Sequence, residues 1–96
     1  MIRAQQFATQ ALSEALRRQP LSDAKVSFAW QTSVGTAMAR ATTARLRTNG
    51  TLDVRASNEH WRREVMRSTG VIRTRLRELL GRDAVKKVVA VVERRP

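Results

Sequence analysis

The residues best equipped for chemistry in this sequence are its arginines. They make up sixteen of the nineteen cationic side chains; the others are Lys25, Lys86 and Lys87. A guanidinium grips a phosphate with two parallel hydrogen bonds, which an ammonium cannot do. Arg45, Arg47 and Arg55 alternate with apolar residues on either side of Asn49-Gly50, as on the polar face of a hairpin. Arg62, Arg63, Arg67, Arg73 and Arg77 recur opposite an apolar helical stripe, and Lys86 and Lys87 extend the series. These ten positions are the candidate phosphate contacts. Such contacts bind with little sequence choice and fade as salt rises, because each neutralised phosphate releases counterions. The net charge is +11, of which residues 1–39 carry +2 and residues 40–96 carry +9. A polyanion, first of all a nucleic acid, is the partner this distribution implies.

Other chemistry is poorly served. His60 is the only histidine and there is no cysteine, so a zinc site would rest on carboxylates, and His60 reads as a solvated residue near a helix start. The eight carboxylates are scattered among arginines; Glu64 and Glu78 read as solvated, ion-paired groups. There is no nucleophile elbow and no phosphate-binding glycine loop. The sequence therefore reads as a non-enzyme with no cofactor and no metal. The aromatics are Phe7, Phe28, Trp30 and Trp61. Trp30 lies on an apolar helical face and reads as core. Trp61, in a first turn beside Arg62 and Arg63, reads as a half-exposed ring able to anchor a partner.

The elements that position these residues follow from periodicity. Ninety-six residues, 42% of them hydrophobic, suit one domain over 1–96 that buries about two-thirds of its unfolded surface. The apolar run of a secretory leader or a membrane span is missing, so cytoplasmic placement is expected. A helix over 4–18 stripes Phe7, Ala8, Ala11, Leu12, Ala15 and Leu16, and Pro20 ends it. Ser22 or Asp23 caps a second helix bearing Val26, Trp30, Val34, Ala37, Met38 and Ala41. Gly35 inside it costs about 1 kcal/mol against Ala, which suggests close packing on another backbone, with a helix break as the rival reading.

Residues 45–56 form a hairpin. A two-residue Asn49-Gly50 turn would set Leu46 against Asp53 and mix the faces. A three-residue Thr48-Asn49-Gly50 loop sets Leu46 against Leu52 and Arg45 against Asp53, with Gly50 in a left-handed bulge position; this register is expected. Ser57 caps a third helix to about Leu80 with Trp61, Val65, Ile72, Leu76 and Leu79 on one face. Gly70 marks a weak middle and Gly81 the stop. Residues 85–92 read as a last strand. The order α-α-β-β-α-β gives an α+β fold, helices packed on a three-stranded sheet, with a crossover to the last strand.

Taken together, Trp30 with Val34-Gly35, Ala39 and Thr42, then Leu46-x-x-x-Gly50-x-Leu52-x-Val54, Ser57, Trp61 and Glu64-Val65, then Leu76-x-x-Leu79-Leu80-Gly81 and the 85–92 strand, resemble the DciA-like family. The likeness spans about 28–92. It implies a KH-like domain, binding to single-stranded or duplex DNA near the nucleoid, and a role in loading or activating the DnaB-type replicative helicase in bacteria. Two points depart from the pattern. Family members often carry a further tail that helps engage the helicase, whereas this sequence stops just after its last strand. The KH-type G-x-x-G loop is also missing, so KH recognition of RNA is not carried over. Two other readings stand beside this one: an adaptor that binds the helicase through an apolar patch around Trp61, and a generic KH-like RNA- or DNA-binding module.

Overall fold

The computed structural model describes residue 11 and residues 14–93. Its elements are α1 (14–18), α2 (Asp23–Val34), α3 (Thr36–Ala41), β1 (Thr42–Leu46), β2 (Thr51–Ala56), α4 (Glu59–Arg67), α5 (Thr69–Leu80) and β3 (Lys87–Val92). The strands form one sheet in the order β1-β2-β3, with β1 antiparallel and β3 parallel to the central β2. A parallel neighbour requires a crossover, and α4 and α5 supply it. The expected α+β fold and element order are both present. Of the first helix, Leu16 is buried as its stripe requires, while Ala11 and Ala15 are exposed. Phe7, Ala8 and Leu12 lie outside the described residues.

The hairpin register is the expected one. Leu46 faces Leu52 and Arg45 faces Asp53. Arg47 N–H donates to Thr51 O at 2.8 Å and closes a loop of residues 48–50. Gly50 takes φ +89°, the left-handed region that a bulge here requires. Alternation then sends Thr42, Ala44, Leu46, Leu52, Val54, Ala56, Val88 and Ala90 to the side of the sheet covered by helices. Leu52, Val54, Val88 and Ala90 join Trp30, Val65, Ile72, Leu76 and Leu79 in one core cluster. Cutting back Leu52 or Leu76 to Ala would cost about 2–5 kcal/mol, since each lost side chain leaves a cavity. Trp30 also satisfies its polar atom: Nε1 donates to Thr42 Oγ1 at 2.9 Å, and that hydroxyl donates to Met38 O at 2.7 Å.

Three local expectations are corrected. Gly35 breaks the second helix at φ +84°, and nothing lies within 4 Å of where its Cβ would be, so it is a breaker and not a close-packing site. The break turns α3 away from the α2 stripe and leaves Ala37 exposed. The third helix is two. Its interruption falls at Ser68, two residues before Gly70. There the Ser68 N–H is shared between Glu64 O and Val65 O, and the Thr69 hydroxyl is shared between Val65 O and Met66 O, a local side-chain bond added to the last turn of α4. The cap of α4 is Asn58, whose side chain accepts from Trp61 N–H at 3.0 Å; the Ser57 N–H instead donates to Ala41 O.

Lys25 has a structural task that its charge alone did not suggest. It is buried, and its Nζ donates to Gln19 O at 2.6 Å and Arg17 O at 3.3 Å. A lysine at this point satisfies the unpaired carbonyls at the end of α1 and complements the helix dipole. It fastens α1 to α2 beside Leu16.

Candidate nucleic-acid interface

Among the described residues, no helix covers the other face of the sheet, its open face. Register sets its side chains in three rows: Arg47, Thr51 and Lys87; then Arg45, Asp53 and Val89; then Thr43, Arg55 and Val91. Arg45, Arg47, Arg55 and Lys87 are exposed, and Val91 is 50% exposed. Asp23 and Ser27 of α2 join this face at its rim, enclosing a concavity of about 550 Å³. Three carboxylates temper the charge, one of them Glu93, which follows Val91 on the same side of β3. Arg47 Nε donates to Asp53, and Arg45 lies 3.8 Å from Asp23. Among the described residues Arg55 and Lys87 have no carboxylate partner. Lys86 stands at the same end as the hairpin tip: its N–H donates to Gly50 O at 2.8 Å, and its stem lies over the glycine.

The helical arginines lie on the other side of the sheet, because α4 and α5 bury Val65, Ile72, Leu76 and Leu79 against its covered face. On α4 they are engaged with acids. Arg62 donates twice to Glu59, through Nε at 2.8 Å and Nη2 at 2.5 Å; Arg63 is 3.8 Å from Glu59, and Arg67 is 3.3 Å from Glu64. The Arg62 hydrogen bond holds the Glu59 carboxyl below its ordinary range, and the same bond raises the Arg62 guanidinium. On α5 neither Arg73 nor Arg77 has an acidic partner among the described residues. Arg75 donates to Ser33 O at 2.8 Å and ties α5 to the last turn of α2.

A family model described as Dna(CI) antecedent, DciA, matches residues 4–90. The chain belongs to the DciA family. A search of curated proteins finds no match. Membership implies a role in loading the DnaB-type helicase in bacterial replication. The DciA positions that carried the resemblance are largely fold positions here. Trp30, Leu52, Val54, Val65, Leu76, Leu79 and Leu80 are core, and Gly35, Gly50 and Gly81 hold positive φ. They identify a DciA chain while saying little about which surface it uses.

The ten candidate contacts of this DciA chain therefore do not form one surface. Arg45, Arg47, Arg55 and Lys87 share the open sheet face, with Lys86 at its end, whereas Arg62, Arg63, Arg67, Arg73 and Arg77 belong to the helix layer. Five of the ten are engaged with carboxylates. Trp61 is half-buried, as its first-turn place predicts, and His60 meets it edge-on with ring centres 5.2 Å apart. Sequence reasoning missed the internal duties of Lys25 and Arg75. The only signal for Lys25 was its place one turn into an amphipathic helix, on the side of Val26 and Ala29. Among the described residues no group of three His, Cys, Asp or Glu side chains is placed to hold a metal, and no helix is long and apolar enough to cross a membrane.

Proposed function

We propose that this chain assists the DnaB-type helicase by holding DNA on its open sheet face. The observation that supports this is the exposure of four cations there, Arg45, Arg47, Arg55 and Lys87, against Asp53, Glu93 and the rim residue Asp23. Phosphates would lie along the rows, with Lys86 extending the contact past the hairpin tip. Val89 and Val91 give bases or sugars an apolar strip without hydrogen-bonding preference, which suits sequence-tolerant binding. Arg73 and Arg77 offer a second, smaller basic site on the helix layer. In this reading the chain is a single KH-like domain, acts in the cytoplasm at the nucleoid, and performs no catalysis itself.

Each phosphate neutralised on single-stranded DNA contributes about −0.7 to the slope of log K against log salt. Arg55 and Lys87, which have no carboxylate partner among the described residues, therefore give about −1.4, and release of Arg45 and Arg47 from their carboxylates brings the slope to about −3. Titration of a mixed-sequence oligonucleotide at several salt concentrations measures this directly. A slope near zero would end the electrostatic reading. The half-buried Trp61 favours a second reading, in which the ring anchors the helicase. Trp61→Ser should then abolish helicase capture and leave DNA affinity intact, and the opposite pattern would refute it.

A further inference from the structure

Strand β3 lies at the edge of the sheet, and β2 is its only strand partner among the described residues. Along its free side, alternate residues present unpaired amides and carbonyls. Natural edges are commonly blunted by proline, charge or a bulge. Here the residues from Val88 to Val92 are all apolar with no proline, and Val91 is half exposed.

The sequence at this edge is nearly its own mirror image. Lys87-Val88-Val89-Ala90-Val91-Val92-Glu93 has valines at matching distances from Ala90 and opposite charges at its ends. Glu93 still belongs to the ladder, since its N–H donates to Ala56 O at 2.7 Å. Laid antiparallel against a second copy with the two-fold axis at Ala90, the strand sets Val89 against Val91, Val88 against Val92 and Lys87 against Glu93. Each of these pairs occurs twice. The period of two keeps both members of every pair on the same side of the sheet. Lys87 and Glu93 are exposed, and neither has an ion-pair partner among the described residues.

We propose that β3 pairs with β3 of a second copy of this chain to form a two-fold dimer with one six-stranded sheet. Charge complementarity selects this occupant: an isologous contact must satisfy itself, and Lys87 with Glu93 does so at both ends. The seam joins two open faces side by side, each keeping Arg45, Arg47 and Arg55, with the Lys87–Glu93 pairs neutral between them. A strand edge is a small interface, so the dimer is transient and depends on protein concentration.

Sedimentation equilibrium of the full chain, carried into the millimolar range at a salt that screens repulsion between two +11 molecules, tests this. A monomer–dimer equilibrium is expected. Lys87→Glu alone, or Glu93→Lys alone, brings like charges together at both ends and should weaken the dimer about tenfold. The double reversal K87E/E93K restores opposite charges and should recover the original affinity within about twofold. Circular dichroism checks that each variant keeps its fold. A chain that stays monomeric throughout overturns the proposal. So does a double reversal that fails to rescue, or an edge that gains amide protection only when helicase is added.

Discussion

Replacing Gly50 by alanine tests the hairpin tip at its tightest point. Gly50 holds φ +89°, and a Cβ there would lie 2.9 Å from Lys86 Cγ, 3.0 Å from Cδ and 3.2 Å from Cβ. The left-handed backbone costs an alanine about 1–2 kcal/mol. Displacing the lysine stem from a packed position adds about 1 kcal/mol. The sum, about 2–3 kcal/mol, corresponds in a domain of this size to a Tm lower by roughly 8–20 °C. The two causes separate in a double-mutant cycle. Lys86→Ala removes Cγ and Cδ, so in that background Gly50→Ala should cost only about 1–2 kcal/mol, a coupling of about 1 kcal/mol. Urea unfolding followed by tryptophan fluorescence suits the measurement, since Trp30 is buried in the core. Equal costs in the two backgrounds would show that the lysine contact contributes nothing. A neutral Gly50→Ala would refute the left-handed loop itself.

Three further outcomes are expected. Thr42→Val leaves the buried Trp30 Nε1–H without its acceptor and should cost about 1–3 kcal/mol in urea unfolding, less if Trp30 is already phenylalanine. Arg55→Ala should lower affinity for single-stranded DNA and flatten the salt slope by about 0.7, while Arg62→Ala, whose guanidinium is held by Glu59, should leave the slope unchanged. The Glu59 carboxyl should titrate below 4.5 by carbon NMR and move back toward that value in Arg62→Ala. Because the folded value is the lowered one, the pair stabilises the fold above the ordinary carboxylate range, and this stabilisation is lost as pH falls through the lowered value.

The hairpin was legible because its information is local. A one-residue slip would have buried Asp53 beside Leu46, so alternation and a single glycine chose the loop. The helix breaks were harder to read. Gly35 announced one of two outcomes, and only tertiary context decides whether a mid-helix glycine packs or breaks. Gly70 drew attention away from Ser68-Thr69, where the Thr69 hydroxyl bonds the carbonyls of the preceding turn. Asn58 and Ser57 are both good caps, and one residue of strand geometry decides between them. For the interface, counting arginines identified the cations but not their company. Arg62 and Arg67 meet acids three residues away, which spacing can reveal. Arg45 meets Asp23 from another element, and Lys25 meets carbonyls across a turn; neither follows from periodicity.

The parallel neighbour of β2 has a consequence in time. As the chain is made, β1 and β2 meet across a three-residue loop, and a hairpin closes within about 1–10 μs. β3 cannot join until α4 and α5 have also been synthesised, which at about 5–20 residues per second takes roughly 2–6 s. For that interval Leu52 and Val54 stand in a two-stranded ribbon with one side of β2 bare. A nascent chain with an uncovered apolar strand is open to the wrong neighbour on a crowded ribosome. The period of greatest hazard for this protein is thus set by the speed of translation, not by the speed of folding.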